Sequence, residues 1–171
     1  MKKYLLFLPI CCCVLSVGAQ TPEANIAQLQ LQLPPVSKPV ANYVNVVKVG
    51  KLLYLSGKGP TTTDGKDITG KVGKDLSLEQ GYDAARSVAL NHVAVLKDLL
   101  GDLSKVKRIV KVLGMVNCTE NFTDQPKVIN GYSDTMVAIF GDKGKHARSA
   151  VGMYALPNNI AVEVEVIVEI K

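Results

Sequence analysis

The chain has no tryptophan, only three phenylalanines and two histidines, and of its four cysteines only Cys118 lies beyond the first nineteen residues. Each shortage closes off a class of function. His92 and His146 stand far apart with a single cysteine between them, which is not the ligand spacing of a zinc site. With no histidine near it in sequence, Cys118 reads as a small buried apolar residue rather than a thiolate nucleophile. There is no glycine-rich dinucleotide fingerprint and no phosphate loop. The one place like a nucleophile elbow, Leu55-Ser56-Gly57, lacks the flanking glycine and continues a strand.

What is present begins with MKKYLLFLPICCCVLSVGA, two lysines, a short apolar run and a small-residue exit. That order is the pattern of a secretory signal peptide over residues 1–19, with Val17 and Ala19 where a signal peptidase prefers small or compact residues. The run is too short for a membrane span. Ile10, Cys11 and Cys12, which precede the three leader cysteines, are not the small residues that lipoprotein processing wants. The expectation is therefore an exported, periplasmic protein whose mature chain starts near Gln20, forms one domain, holds no intramolecular disulfide and stays off the membrane. Loss of Lys2 and Lys3 takes the net charge from +5 to +3. So small a charge, without an aromatic and basic platform, argues against a nucleic-acid partner. The basic cluster KVKRIVK, Lys105 to Lys111, has period two and reads as the solvated face of a strand.

Residues 20–40 are polar and proline-bearing and read as an extended arm leading into a domain over 41–171. VNVVKV and LLYLS flank Gly50-Lys51 at hairpin spacing. After a loop rich in Gly, Thr and Asp, an apolar stripe through Leu78, Tyr82, Ala85, Ala89, His92 or Val93, Leu96 and Leu99 predicts a helix over 75–100, closed by Gly101. His92, on the edge of that stripe, reads as a satisfied, partly buried histidine. Val106 to Asn117 reads as a long strand, and Asp124 to Phe140 as a second helix with Pro126 in its first turn and Gly141 at its end. Gly131 inside it costs about 1 kcal/mol relative to alanine, which points to close approach by another backbone.

The last stretch, HARSAVGMYALPNNIAVEVEVIVEI, alternates and reads as a hairpin bent at Asn158-Asn159. Val162, Val164, Val166, Val168 and Ile170 form one face, with Glu163, Glu165, Ile167 and Glu169 on the other. In the strand before the bend, Arg148, Ala150, Gly152 and Tyr154 oppose Val151, Met153 and Ala155. The valine face should cover the helices, and the charged set should face away. The order of elements predicts an α+β fold: a mixed sheet with two helices on one face. A bare sheet face mixing apolar residues with charges predicts a closed homo-oligomer.

Arg148 presents a planar fork that matches a carboxylate, or equally a glutamate across a subunit boundary. In a hairpin register Glu163 lies opposite Tyr154, about 20 Å along the strand from Arg148. The two should not pair within one chain, though they could meet between subunits.

ANYVNVVKVGKLLYLSGKGP, GDLSKVKRIVKVLGMVN and the HARSAVGMYALPNNIAVEVEVIVEI stretch, with two helices between them, resemble the YjgF and RidA family, also called L-PSP endoribonuclease-like, across Asn42 to Ile170. The resemblance implies a chorismate-mutase-like two-layer subunit and a homotrimer with three inter-subunit clefts. Its deaminase branch hydrolyses 2-imino and enamine acids such as 2-aminoacrylate to 2-oxo acid and ammonia, without metal or cofactor. Residue by residue it implies that Arg148 binds the substrate carboxylate and that Glu163 orients water. It further implies that Tyr43, Ser56, Gly57, Asn130 and the Ala150 backbone line the cleft. Ala150 stands where many deaminases have cysteine, and Lys58 where they have glutamine or a similar residue; Glu165 takes no role. The alternatives are a non-catalytic 2-oxo acid binder, which suits an exported protein, and the ribonuclease of the family's older name.

Overall fold

The computed structural model describes residues 20–171; the signal-peptide expectation for 1–19 lies outside the described residues. Five strands form one mixed sheet: β1 (Val46–Val49), β2 (Leu52–Lys58), β3 (Val106–Asn117), β4 (Ala147–Met153) and β5 (Val162–Ile170), in the order β1-β2-β5-β3-β4. Among the strand pairs of the described residues only β3–β4 is parallel. Two helices, α2 (Leu78–Leu100) and α3 (Gln125–Phe140), cover one face, and α1 (Pro22–Gln28) packs against α3. The α+β architecture with two helices on one sheet face is as expected. No helix among the described residues is long and apolar enough to cross a membrane.

Local chemistry explains the elements. Ser77 and Gln80 form a reciprocal capping box that starts α2, and Gly101, at φ +70°, ends it. Gly141, at φ +60°, ends α3. Gly131 lets the two helices touch, because a Cβ there would collide with the backbone oxygen of Tyr82. Val162, Val164, Val166 and Val168 are buried beneath the helices together with Ile109, Val112 and Val116 of β3. At about 25 cal/mol per Å² of apolar surface removed from water, this layer is the main source of stability.

Four expectations need correction. Residues 20–40 are not uniformly extended: Thr21 caps α1, Pro22 occupies its first turn, and Asn25 Nδ2 donates to Ile139 O at 2.8 Å. Glu23 accepts from Lys97 Nζ and from the Leu103 amide, both at 2.8 Å, pinning the segment to the end of α2. The last two strands are not a hairpin, because β3 lies between them, antiparallel to β5 and parallel to β4. Asn158 and Asn159 do turn the chain at positive φ, but within a 3-10 turn that carries it past β3. The faces of β4 are consequently reversed. Arg148 pairs with the buried Val112 and shares its helix side, as do Ala150 and Gly152, while exposed Val151 joins the open face. Leu99 is also exposed rather than part of the buried stripe.

Candidate functional site

The nominated residues form two groups separated by β3. The first lies where the edge strand β4 meets α3. Arg148 Nη1 donates to Asn130 Oδ1 and to Ser133 Oγ, both at 2.9 Å, and Nη2 donates to Pro126 O at 3.3 Å. Asn130 and Arg148 are thus brought together, with Asn130 exposed on the first half of α3. Among the described residues three of the five guanidinium N–H groups find partners, leaving Nε–H and one Nη2–H for an incoming anion. Ala150, two residues along, packs against the core on the same side, and the outer edge of β4 offers unpaired backbone groups. A cleft of about 570 Å³ opens nearby, lined by Lys71, Gln125, Gly152 and Tyr154 among others. Lys71 Nζ does not project freely into it, since it donates to Asn117 Oδ1, Cys118 O and Tyr154 O.

The second group centres on a bulge in β2. Leu55 pairs with Val166 and Lys58 with Val164, so Ser56 and Gly57 occupy the space of one residue in the partner strand. Glu163 fills the ground above Gly57: a Cβ there would collide with Glu163 Oε1. The Glu163 carboxyl is half-buried and is pushed above the ordinary range by that burial, then by the like charge of Glu165. Ser56 Oγ donates to Val44 O at 2.7 Å, which ties the exposed Tyr43 segment to the same bulge.

Buried His92 supports the bulge from beneath. Its Nε2 lies 3.2 Å from Ser56 O, which can only accept, so Nε2 carries the proton and Nδ1 accepts from Tyr132 Oη at 2.9 Å. Burial drops its pKa to about 4, and the ring is neutral near pH 7. Lys58 Nζ donates to Asn45 Oδ1 at 2.7 Å and Ser37 Oγ at 3.1 Å, so it fastens the preceding segment. Glu165 lies with Tyr54, Ser56 and Lys111 in a smaller depression of the open face. Cys118 is buried, with Gln125 Nε2 donating to its sulfur. Among the described residues no cluster of His, Cys, Asp and Glu is arranged to hold a metal ion.

Within one chain Arg148 and Glu163 do not meet. They lie on opposite faces of the sheet, with β3 between their strands. Sequence reading missed Ser133 and His146, which join Arg148 through contacts 13 to 15 residues apart. The only signal was a serine one turn beyond Asn130 on the same helix.

Comparison with known proteins places the chain in a lineage. The family described as "YjgF/chorismate_mutase-like, putative endoribonuclease" matches residues 23–170. The chain is 43% identical to Protein TCP17 of Trypanosoma cruzi over 86% of this chain and 92% of that one. It is 30% identical to a 2-iminobutanoate/2-iminopropanoate deaminase of Dermatophagoides farinae, over 82% of this chain and 95% of that one. The crystal structure of Atu1372 from Agrobacterium tumefaciens, a protein of unknown function, superposes with a TM-score of 0.81 at 40% identity, over 88% of this chain and 94% of that one. Matched along almost its whole described length, with relatives at this identity and the same two-layer fold, the chain belongs to the YjgF/RidA family.

Proposed function

We propose that this protein hydrolyses 2-imino and enamine acids, such as 2-aminoacrylate, to 2-oxo acid and ammonia in clefts between the subunits of a homotrimer. The observation that carries the reading is Arg148: a guanidinium pinned on α3 with two N–H donors that have no partner among the described residues, the arrangement that receives a carboxylate as a fork. The deaminase named among the relatives supports the same chemistry. Exposed Val47, Val49, Tyr54 and Val151 on the open face support burial against neighbouring subunits, which would bring one subunit's Glu163 to another's Arg148.

In this reading Arg148 binds the substrate carboxylate, Asn130 and the edge backbone at Ala150 orient the planar imine, and Tyr43 closes the cleft. Water at Glu163 attacks the imine carbon. The carboxylate takes a proton from the water as the C–O bond forms and passes it to the imine nitrogen, giving the carbinolamine; it then relays the carbinol O–H proton to that nitrogen as the C–N bond breaks, so that the carbonyl forms and ammonia leaves. The 2-oxo acid remains. Positioning does most of the work, since two reactants are held in one geometry. Catalysis needs no cofactor here.

The test is an amino-acid oxidase reaction supplemented with the mature protein. Wild type should speed 2-oxo acid release and Arg148→Ala should not. Binding of 2-oxo acid with no change in imine lifetime would instead favour a non-catalytic carboxylate binder. Export with cleavage after Ala19 belongs to the same proposal, and mass spectrometry of the mature N-terminus checks it.

A further inference from the structure

Arg148 is one end of a hydrogen-bond chain whose direction its atoms dictate. His146 Nδ1 lies 2.6 Å from Gly144 O, and a carbonyl only accepts, so Nδ1 carries the proton. In the neutral ring Nε2 is then a bare acceptor. Its neighbour at 3.0 Å, Ser133 Oγ, must donate to it. The same hydroxyl accepts from Arg148 Nη1 at 2.9 Å. The chain therefore runs from guanidinium to hydroxyl to imidazole to the 3-10 turn (Gly141–Gly144) that follows α3, each bond polarising the next.

We infer that Ser133 and neutral His146 are positioning residues for the anion site: they lock Arg148 against α3 so that Nε–H and one Nη2–H stay presented to a 2-oxo or 2-imino carboxylate. The inference rests on the reading of Arg148 as the carboxylate anchor. Its consequence is a dependence on pH. Protonated His146 would aim Nε2–H at Ser133 Oγ, which would then face two cationic donors, with the imidazolium one hydroxyl from the guanidinium. The surroundings offer that charge no relief. Helix α3 presents Tyr132, edge-on at 6.4 Å, and Ser133; β4 presents Arg148. The preceding turn presents Lys145, itself paired with Asp142, and β3 presents Arg108. Burial, and after it the Arg148 charge, hold the imidazole below its ordinary range, while the bond to Gly144 O opposes them. The clamp is closed at neutral pH and loosens as the pH falls through that lowered value.

The experiment uses the mature chain and two readouts: calorimetric titration of 2-oxobutanoate, and the ¹⁵N NMR signal of the Arg148 Nε–H. Ser133→Ala should weaken 2-oxobutanoate binding about tenfold, or about 1.4 kcal/mol, with Ser133→Thr recovering most of it. In imine hydrolysis KM should move more than kcat. Wild type should bind more weakly at acid pH, whereas His146→Gln, which keeps an acceptor for Ser133 but does not titrate, should not. If Ser133→Ala binds like wild type while Arg148→Ala fails to bind, the clamp is refuted and the anchor stands. If wild type and Arg148→Ala bind equally weakly, the anchor reading falls and the NMR signal decides the clamp. A sharp Arg148 Nε–H that broadens in Ser133→Ala then supports it, and an unchanged signal overturns it.

Discussion

The carboxylate of Glu163 occupies the space that a side chain at Gly57 would need. The β2 bulge and the absence of a Cβ together let an acidic group from β5 lie over the backbone of β2. Gly57→Ala should push that carboxylate aside without touching Arg148. Since a displacement of about 1 Å can cost about a hundredfold in rate, kcat for imine hydrolysis should fall by that order, with 2-oxobutanoate affinity changed only a few-fold. Steady-state kinetics beside calorimetry checks this, and parallel loss of both quantities would count against it.

The acid limb of activity should lie above the ordinary carboxylate range. Burial, and then Glu165, favour the neutral form of Glu163, and a protonated carboxyl cannot take a proton from water. Activity should therefore fall as the pH drops through the raised value. Glu165→Gln should move the limb downward by removing the like charge, and Glu163→Gln should leave a low rate without that limb. A pH profile of kcat for the three proteins reads this directly.

Because β3 separates the two groups within a chain, a cleft shared between subunits should be restorable by mixing. Arg148→Ala and Glu163→Ala subunits, each inactive alone, should regain part of the wild-type activity when unfolded and reassembled together. Mixtures no more active than their components would mean that the two side chains do not serve one shared site.

His92 should make stability pH-dependent in a defined window. Its folded pKa, about 4, lies below the ordinary histidine value of 6.5, so the unfolded chain binds the proton first. Its contribution is fully present above about pH 6.5 and is lost as the pH falls toward 4. Between pH 7 and pH 5 the loss should be about 2 kcal/mol. Urea unfolding at the two pH values should show it, and His92→Gln should reduce the difference. His146 shifts in the same direction, so His146→Gln separates the two contributions.

Much of the fold was legible because its signals are local. The bounds of β3, the glycine stops at 101 and 141 and the close approach at Gly131 follow from periodicity and backbone sterics. The pairing of β4 was not legible. Alternation shows that a segment is a strand but carries nothing about its neighbour, and Asn158-Asn159 has the chemistry of a tight turn whether or not a hairpin follows. That error reversed the faces and hid the helix that holds Arg148. Resemblance nominated Arg148, Asn130, Glu163 and Gly57, whereas the contacts of Ser133 and His146 emerge only when α3 is laid against the sheet edge.

The parallel pairing of β3 and β4 also bears on the order in which the site comes into being. Arg148, Asn130 and Ser133 belong to one continuous β3-α3-β4 stretch, whose loops are short. Gly57 and Glu163 meet only when β2 pairs with β5, a closure spanning most of the domain that must spend chain entropy before any contact rewards it. The contacts that hold Arg148 thus close far shorter loops than the contact that sets Glu163 over Gly57, and hydrogen exchange during refolding should show the β3-α3-β4 unit protected before the β2–β5 pair.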